Sequence, residues 1–187
     1  MINMNASLKK NIVIGIASVA GLLFLAGLGR ALYFKSQFIL YQDTQYKFSI
    51  KYPNSWKIVI NPQPNVAVAF LRPPDTALDD MQENFNVTIQ PVPGDLLDVS
   101  AFSAKIKAQM MAVFGENIKI IEDRPFYWNW REGREVIFES TKHPLIMVSA
   151  WVLREDRAYI LTFLGEKDKY GQDYFWVRKM IRSLYFQ

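Results

Sequence analysis

The chemistry open to this chain starts from a single histidine, His143, and no cysteine. A closed zinc site draws about four ligands from His, Cys and carboxylates, and thiolate nucleophiles are absent altogether. With no second imidazole and no thiolate to join it, His143-Pro144 reads as a histidine at the edge of a strand rather than a ligand. Asp75, Asp79, Asp80 and Glu83 could gather a hard cation through oxygen, but their spacing is not that of a calcium loop, so a solvated acidic loop is expected. Glu122/Asp123 and Glu155/Asp156 are sequence neighbours, and neighbouring side chains on strands point apart, so neither pair forms an acid–base couple unaided. The sequence carries no G-x-S-x-G elbow, no phosphate-cradling glycine loop and no dinucleotide fingerprint. These residues predict a protein that is not an enzyme and that holds no cofactor and no metal.

The densest run of large side chains is Phe126-Tyr127-Trp128-Asn129-Trp130. On a strand, Phe126, Trp128 and Trp130 would share one face and Tyr127 the other. Packing in the core against a helix is the favoured reading, because large aromatics supply much of a domain's buried area. Exposed, the same indoles would serve as partner anchors or dip into a membrane interface. Tyr127, Trp128 and Trp130 are therefore the candidate partner-binding residues.

The net charge of +4 is unevenly placed along the chain. Lys9, Lys10, Arg30 and Lys35 stand in the first 35 residues with no acid among them, which leaves the remainder neutral. A neutral domain supplies no field for phosphates, so nucleic acid is not an expected partner. The same cations bracket an uncharged apolar run from Ile12 to Gly29 that extends past Arg30 to Tyr33 and Phe34. Taken as residues 12–34, it would span about 34 Å as a helix, enough to cross a bilayer with Arg30 snorkelling to the headgroups. It is longer than the roughly 7–15 residues of a signal-peptide core and lacks a good cleavage site, so an uncleaved anchor, N-terminus inside, is expected. Ile12, Ala17, Gly21, Leu25, Gly27, Arg30, Tyr33 and Phe34 are its anchor residues, and Phe38 and Tyr41 would extend an aromatic belt on the exit side. Small residues at Ala17/Gly21 and Gly27/Ala31 suit close helix approach, although Gly and Ala are common in any membrane helix. The partition is then a basic tail at 1–11, the membrane helix at 12–34, a juxtamembrane linker at 35–45 and a folded domain at 46–187.

Within that domain the period of the apolar residues alternates between two and 3.6. Tyr46, Phe48, Ile50 and Tyr52 alternate with Lys47, Ser49 and Lys51 as a half-buried strand does. Further strands are predicted at Trp56–Ile60, Val66–Leu71, Phe85–Ile89, Ile118–Ile121, Glu135–Ser140, Leu145–Leu153 and Ala158–Leu164, the last two joined by a tight turn at Arg154-Glu155-Asp156. Val99, Phe102, Ile106, Met110 and Val113 define one helical face, with Ser103, Lys105, Lys107 and Gln109 turned away, Asp98 as the N-cap and Gly115 past the end. A closing helix runs from Tyr170 to about Leu184, with Tyr170, Tyr174, Val177, Ile181 and Leu184 on its apolar stripe. Strands in runs, interrupted by two amphipathic helices, predict an α+β domain on an antiparallel sheet.

The order of these pieces resembles one known family. The stretch Phe48-Ser-Ile-Lys-Tyr-Pro53-Asn-Ser-Trp56 looks like the entry strand of PsbP-like proteins, the group of the extrinsic photosystem II subunit and its bacterial relatives. A mid-chain helix, a strand around Gly133-Arg134-Glu135, a hairpin reaching Tyr159–Thr162 and a final helix closing on Ile181–Phe186 follow in the family's order. The likeness covers about Gln42 to Gln187. It implies a PsbP-like α/β/α sandwich with a central antiparallel sheet, and a binding or assembly module rather than an enzyme. The expectation is a single-pass protein of a bacterial inner or photosynthetic membrane, with its C-terminal domain on the periplasmic or lumenal side. There it would act as an accessory or assembly subunit of a membrane protein complex, or alternatively bind a small ligand or metal of the envelope. The chain departs from plant PsbP by carrying an apolar segment where that protein has a docking arm, and Ser183-Leu184 where Phe is usual.

Overall fold

Alternation of apolar side chains with period two becomes pleated strand over most of the chain in the computed structural model, which describes residues 37–76, 81–94 and 98–187. The strands are β1 (Phe38–Asp43), β2 (Phe48–Pro53), β3 (Lys57–Gln63), β4 (Val66–Leu71) and β5 (Asn84–Pro91), then β6 (Ile118–Trp128), β7 (Arg131–Ser140), β8 (Leu145–Arg154), β9 (Arg157–Glu166) and β10 (Tyr185–Phe186). Helix α1 (Val99–Phe114) lies between β5 and β6, and α2 (Tyr170–Ser183) precedes β10. The predicted membrane helix at 12–34 falls outside the described residues.

The described residues form two sheets rather than the one central sheet expected. The larger has the order β3-β4-β5-β9-β8-β7-β6, antiparallel at every pairing, and the smaller is β1-β2-β10. The proposed linker at 35–45 is corrected here, since Phe38–Asp43 is a strand of the smaller sheet. Tyr41 lies in the domain, not in an aromatic belt. Its ring centroid is 5.9 Å from that of Phe48 and 6.1 Å from that of Phe70. Burial, then the bond to Asp43, pushes its hydroxyl up to about 12. Strand β2 begins two residues later than the alternation suggested, because Lys47 takes a left-handed φ of 53° in the preceding turn.

The faces of the large sheet follow from register. Val136, Phe138, Trp151, Ala158 and Ile160 share one face and pack with Phe102, Ile106 and Met110 of α1. On the other face Ile137, Val148, Leu161, Phe163, Phe85 and Phe70 are buried, and here stand α2 and the small sheet. Tyr159 of β9 meets Phe48 and Phe186 edge-on at 6.1 and 4.8 Å, and its hydroxyl donates to the Tyr46 carbonyl at 2.8 Å. Ser183 at the end of α2 accepts from the Lys51 amide at 2.8 Å, tying the helix to β2.

Helix α1 starts where Asp98 predicts, its Oδ1 accepting from the Ala101 amide at 2.9 Å. Gly115 ends it at a φ of 56°, a conformation that a Cβ disfavours. The face differs from the predicted one at three positions. Ser103 is buried because its hydroxyl accepts from the Trp151 indole at 2.9 Å while donating to Val99, Lys107 reaches down to Asp123 at 2.7 Å, and Val113 is exposed. A short polar side chain that meets a buried indole N–H outweighs its own hydropathy.

Candidate functional site

The aromatic run lies at the end of the longest hairpin. Strand β6 stops at Trp128, paired with Arg131, and Asn129-Trp130 forms the two-residue turn with φ of 45° and 70°. Two positive φ values are those of a type I′ turn, whose twist matches the flanking strands and whose second position favours glycine. Trp130 is therefore not on the strand face with Phe126 and Trp128, as alternation predicted. It sits at the tip, 99% exposed, in backbone that a bulky side chain disfavours.

Trp128 is corrected as a partner-binding candidate, since only 3% of it is exposed. Its indole N–H donates to the Ile181 carbonyl at 2.6 Å in the last turn of α2, and Phe126 stands 4.4 Å from its ring. The ring fits because residue 133 is glycine. A Cβ there would come within 2.4 Å of both the indole and the Trp151 carbonyl. Tyr127 points the other way and is 64% exposed. The hairpin thus presents Tyr127 and Trp130, while Trp128 braces its base.

Two groups of charged residues lie against α2. In the first, Glu135 is fully buried on β7 opposite its cross-strand partner Arg124, which bonds it and also reaches Glu122 and the Tyr174 hydroxyl. Burial by itself lowers the Arg124 pKa, but the Tyr174 and Glu135 bonds outweigh it and raise the net value. On the opposite face of the same strands, Asp123 pairs with Lys107 and Arg134. Burial opposes its charge, and the two cations overcome that and hold its carboxyl below the usual range. Glu122 and Asp123 thus serve opposite faces, as their adjacency on a strand requires.

The second group departs from the solvated acidic loop expected of Asp75, Asp79, Asp80 and Glu83, because Glu83 is fully buried. Lys169 Nζ stands 3.4 Å from Glu83 and 3.0 Å from Glu166, and Arg72 Nη1 stands 3.6 Å from Glu83. The Arg72 guanidinium also meets Asp173 Oδ1 through Nε and Asp75 Oδ1 through Nη2, each at 2.9 Å. Asp79 and Asp80 lie outside the described residues. Beside this group opens a cleft of about 400 Å³, walled by Trp56, Trp176, Pro53, Pro73 and Pro74, with Arg72, Asp75 and Asp173 on its lining. Burial, reinforced by Glu83 and Asp75, holds the Asp173 carboxyl above its ordinary value despite the Arg72 contact.

Sequence reasoning missed Arg72, Asp173 and Glu135. The signal was present for Asp173: it stands four residues before Val177 on the apolar stripe that continues to Ile181 and Leu184, and a carboxylate on such a stripe needs a buried partner. His143 is exposed in the turn before β8, its amide donating to Ser140 at 3.0 Å. Among the described residues no group of three or more His, Asp or Glu side chains could hold a metal ion. The anchor residues Ile12, Ala17, Gly21, Leu25, Gly27, Arg30, Tyr33 and Phe34 lie outside the described residues, and no described helix is long and apolar enough to cross a membrane.

No known family model and no curated protein matches this sequence. Solved structures do. Cyanobacterial PsbP (CyanoP) from Synechocystis sp. PCC 6803 superposes with a TM-score of 0.60 at 14% identity, over 81% of this chain and 93% of that one. LpqN of Mycobacterium tuberculosis, involved in cell envelope biogenesis, gives 0.56 at 6% identity over 79% and 89%. The Saccharomyces cerevisiae Ran-binding protein Mog1p gives 0.54 at 8% identity over 80% and 95%. Identities this low speak for the fold and leave function to the site. Among the described residues, two antiparallel sheets and two α-helices in this order, superposing on cyanobacterial PsbP over most of both chains, are the PsbP-like fold.

Proposed function

We propose that this chain is a non-catalytic binding module, anchored by residues 12–34 in a bacterial inner or photosynthetic membrane. Its folded domain stands on the periplasmic or lumenal side as an accessory or assembly subunit of a membrane protein complex. The observation that carries the reading is Trp130, 99% exposed at a turn position that favours glycine. An exposed indole in disfavoured backbone costs stability and solubility, and tryptophan is the residue type most enriched among interface anchors. Trp128, bonded to Ile181, fixes the base of the hairpin and so lowers the ordering cost of docking its tip. The envelope role named for LpqN supports the compartment, and the apolar run between Lys10 and Arg30 supports the anchor.

The test is a native-gel separation of source membranes solubilised in mild detergent, with mass spectrometry of what co-migrates. The expected result is migration with a larger complex for the unaltered chain and release on Trp130→Ser. Migration as a lone monomer would overturn the reading. Extraction of the chain by alkaline carbonate would overturn the anchor.

A further inference from the structure

The cleft beside Arg72 carries an inference independent of the hairpin. Among the described residues, ion pairs join four carboxylates, Asp75, Glu83, Glu166 and Asp173, with two cations, Arg72 and Lys169. The excess negative charge is not all at the surface, since Glu83 is fully buried and the Asp173 side chain is 3% exposed. Arg72 uses Nε on Asp173 Oδ1 and Nη2 on Asp75. Asp173 lines the cleft, and its Oδ2 is buried with no hydrogen-bond partner. A buried carboxylate oxygen left without a donor is costly, so this position favours an arriving N–H group.

The walls narrow the chemistry. A hard metal ion takes about six to eight oxygen ligands, whereas beyond Ser55, Asp75, Gln172 and Asp173 this cleft is lined by two indoles, three prolines and the Arg72 guanidinium. Flat, weakly hydrated guanidinium groups pair with carboxylates and stack on tryptophan more readily than ammonium does. We propose that the cleft binds a guanidinium-bearing ligand, which donates to Asp173 Oδ2 and lies against Trp56 and Trp176. The raised carboxyl of Asp173 agrees with this, because burial and the neighbouring Glu83 and Asp75 outweigh the Arg72 contact, and a second cation would offset them. Two sources share that chemistry, a free small guanidinium compound and the arginine side chain of a peptide.

The experiment titrates the full chain in detergent micelles with butylguanidinium and with its neutral isostere butylurea. A second pair is a blocked Gly-Arg-Gly peptide and its citrulline counterpart. The readout is the indole N–H resonances of Trp56 and Trp176. The expected result is saturable shifts from at least one guanidinium probe, with its neutral counterpart binding about tenfold more weakly, as loss of a charge-assisted pair predicts. Asp173→Asn, and Trp176→Leu read at Trp56, should each weaken binding by about fivefold or more. Tighter binding of the peptide identifies a peptide arginine as the source, and equal or tighter binding of butylguanidinium identifies a free compound. The proposal is overturned if cation and neutral isostere titrate alike, or if Trp176→Leu binds as the unaltered chain does. That variant leaves every charged residue of the group in place, so the test survives a fold defect in Asp173→Asn.

Discussion

The indole nitrogen of Trp128 lies 2.6 Å from the carbonyl oxygen of Ile181 and donates to it, joining the end of β6 to the last turn of α2. Carbonyls in a helix's last turn lack intrahelical donors, and the Leu184 amide offers Ile181 only a long contact of 3.4 Å. The bond therefore satisfies a buried acceptor and ties the end of the hairpin to the helix.

Trp128→Phe should cost about 1–3 kcal/mol, the range for losing a buried hydrogen bond together with part of a packed ring. Urea unfolding of the full chain in detergent measures it. An unchanged midpoint would mean that the Ile181 carbonyl finds another donor.

Gly133→Ala tests the space on which that indole depends. The added Cβ meets a backbone carbonyl as well as a ring, so the neighbours cannot all move away cheaply. A loss of about 2 kcal/mol or more is expected, as for overpacking in a rigid core. It should appear as a lower Tm and a changed near-ultraviolet spectrum from Trp128 and Trp151.

Trp130→Gly should act in the opposite direction on stability. Relieving a left-handed bulky residue at a turn is expected to stabilise by about 0.5–1 kcal/mol, even though a large apolar side chain is removed. Acrylamide quenching gives a second readout: this variant loses the most quenchable tryptophan component, whereas Trp128→Phe leaves it in place.

Asp123→Asn and Asp173→Asn should show opposite pH dependence. The Asp123 carboxyl is held below its unfolded value, so its contribution is complete above about pH 4 and is lost as pH falls through the native pKa. Asp173 is raised, so its native state binds the proton more tightly, and its contribution declines as pH rises from about 4 through the raised native pKa. The penalty of Asp123→Asn should therefore shrink in acid, while that of Asp173→Asn shrinks toward neutral pH. Urea midpoints of both variants across pH 3 to 8 decide it, and parallel slopes would contradict the assignment.

Local pattern determined much of this protein. The apolar runs that predict strands at Val66–Leu71 and Leu145–Leu153, the Asp98 cap and Gly115 stop of α1, and the turn within Arg154-Glu155-Asp156 all reappear in the structure. Each is written within a few residues, where side-chain period and cap chemistry act directly. Tertiary structure alone decided what depends on partners far along the chain. Trp128 and Trp130, two apart, separate into a buried brace and an exposed tip because the turn falls between them. Ser103 is buried because Trp151 arrives above it from β8. Glu83 becomes a buried counter-ion because Arg72 and Lys169 converge on it from different elements. Strand Phe38–Asp43 leaves the expected linker because β2 offers it an edge. Burial of a polar side chain depends on which donor or acceptor the register brings opposite it, and register is a property of the assembled sheet rather than of any one segment.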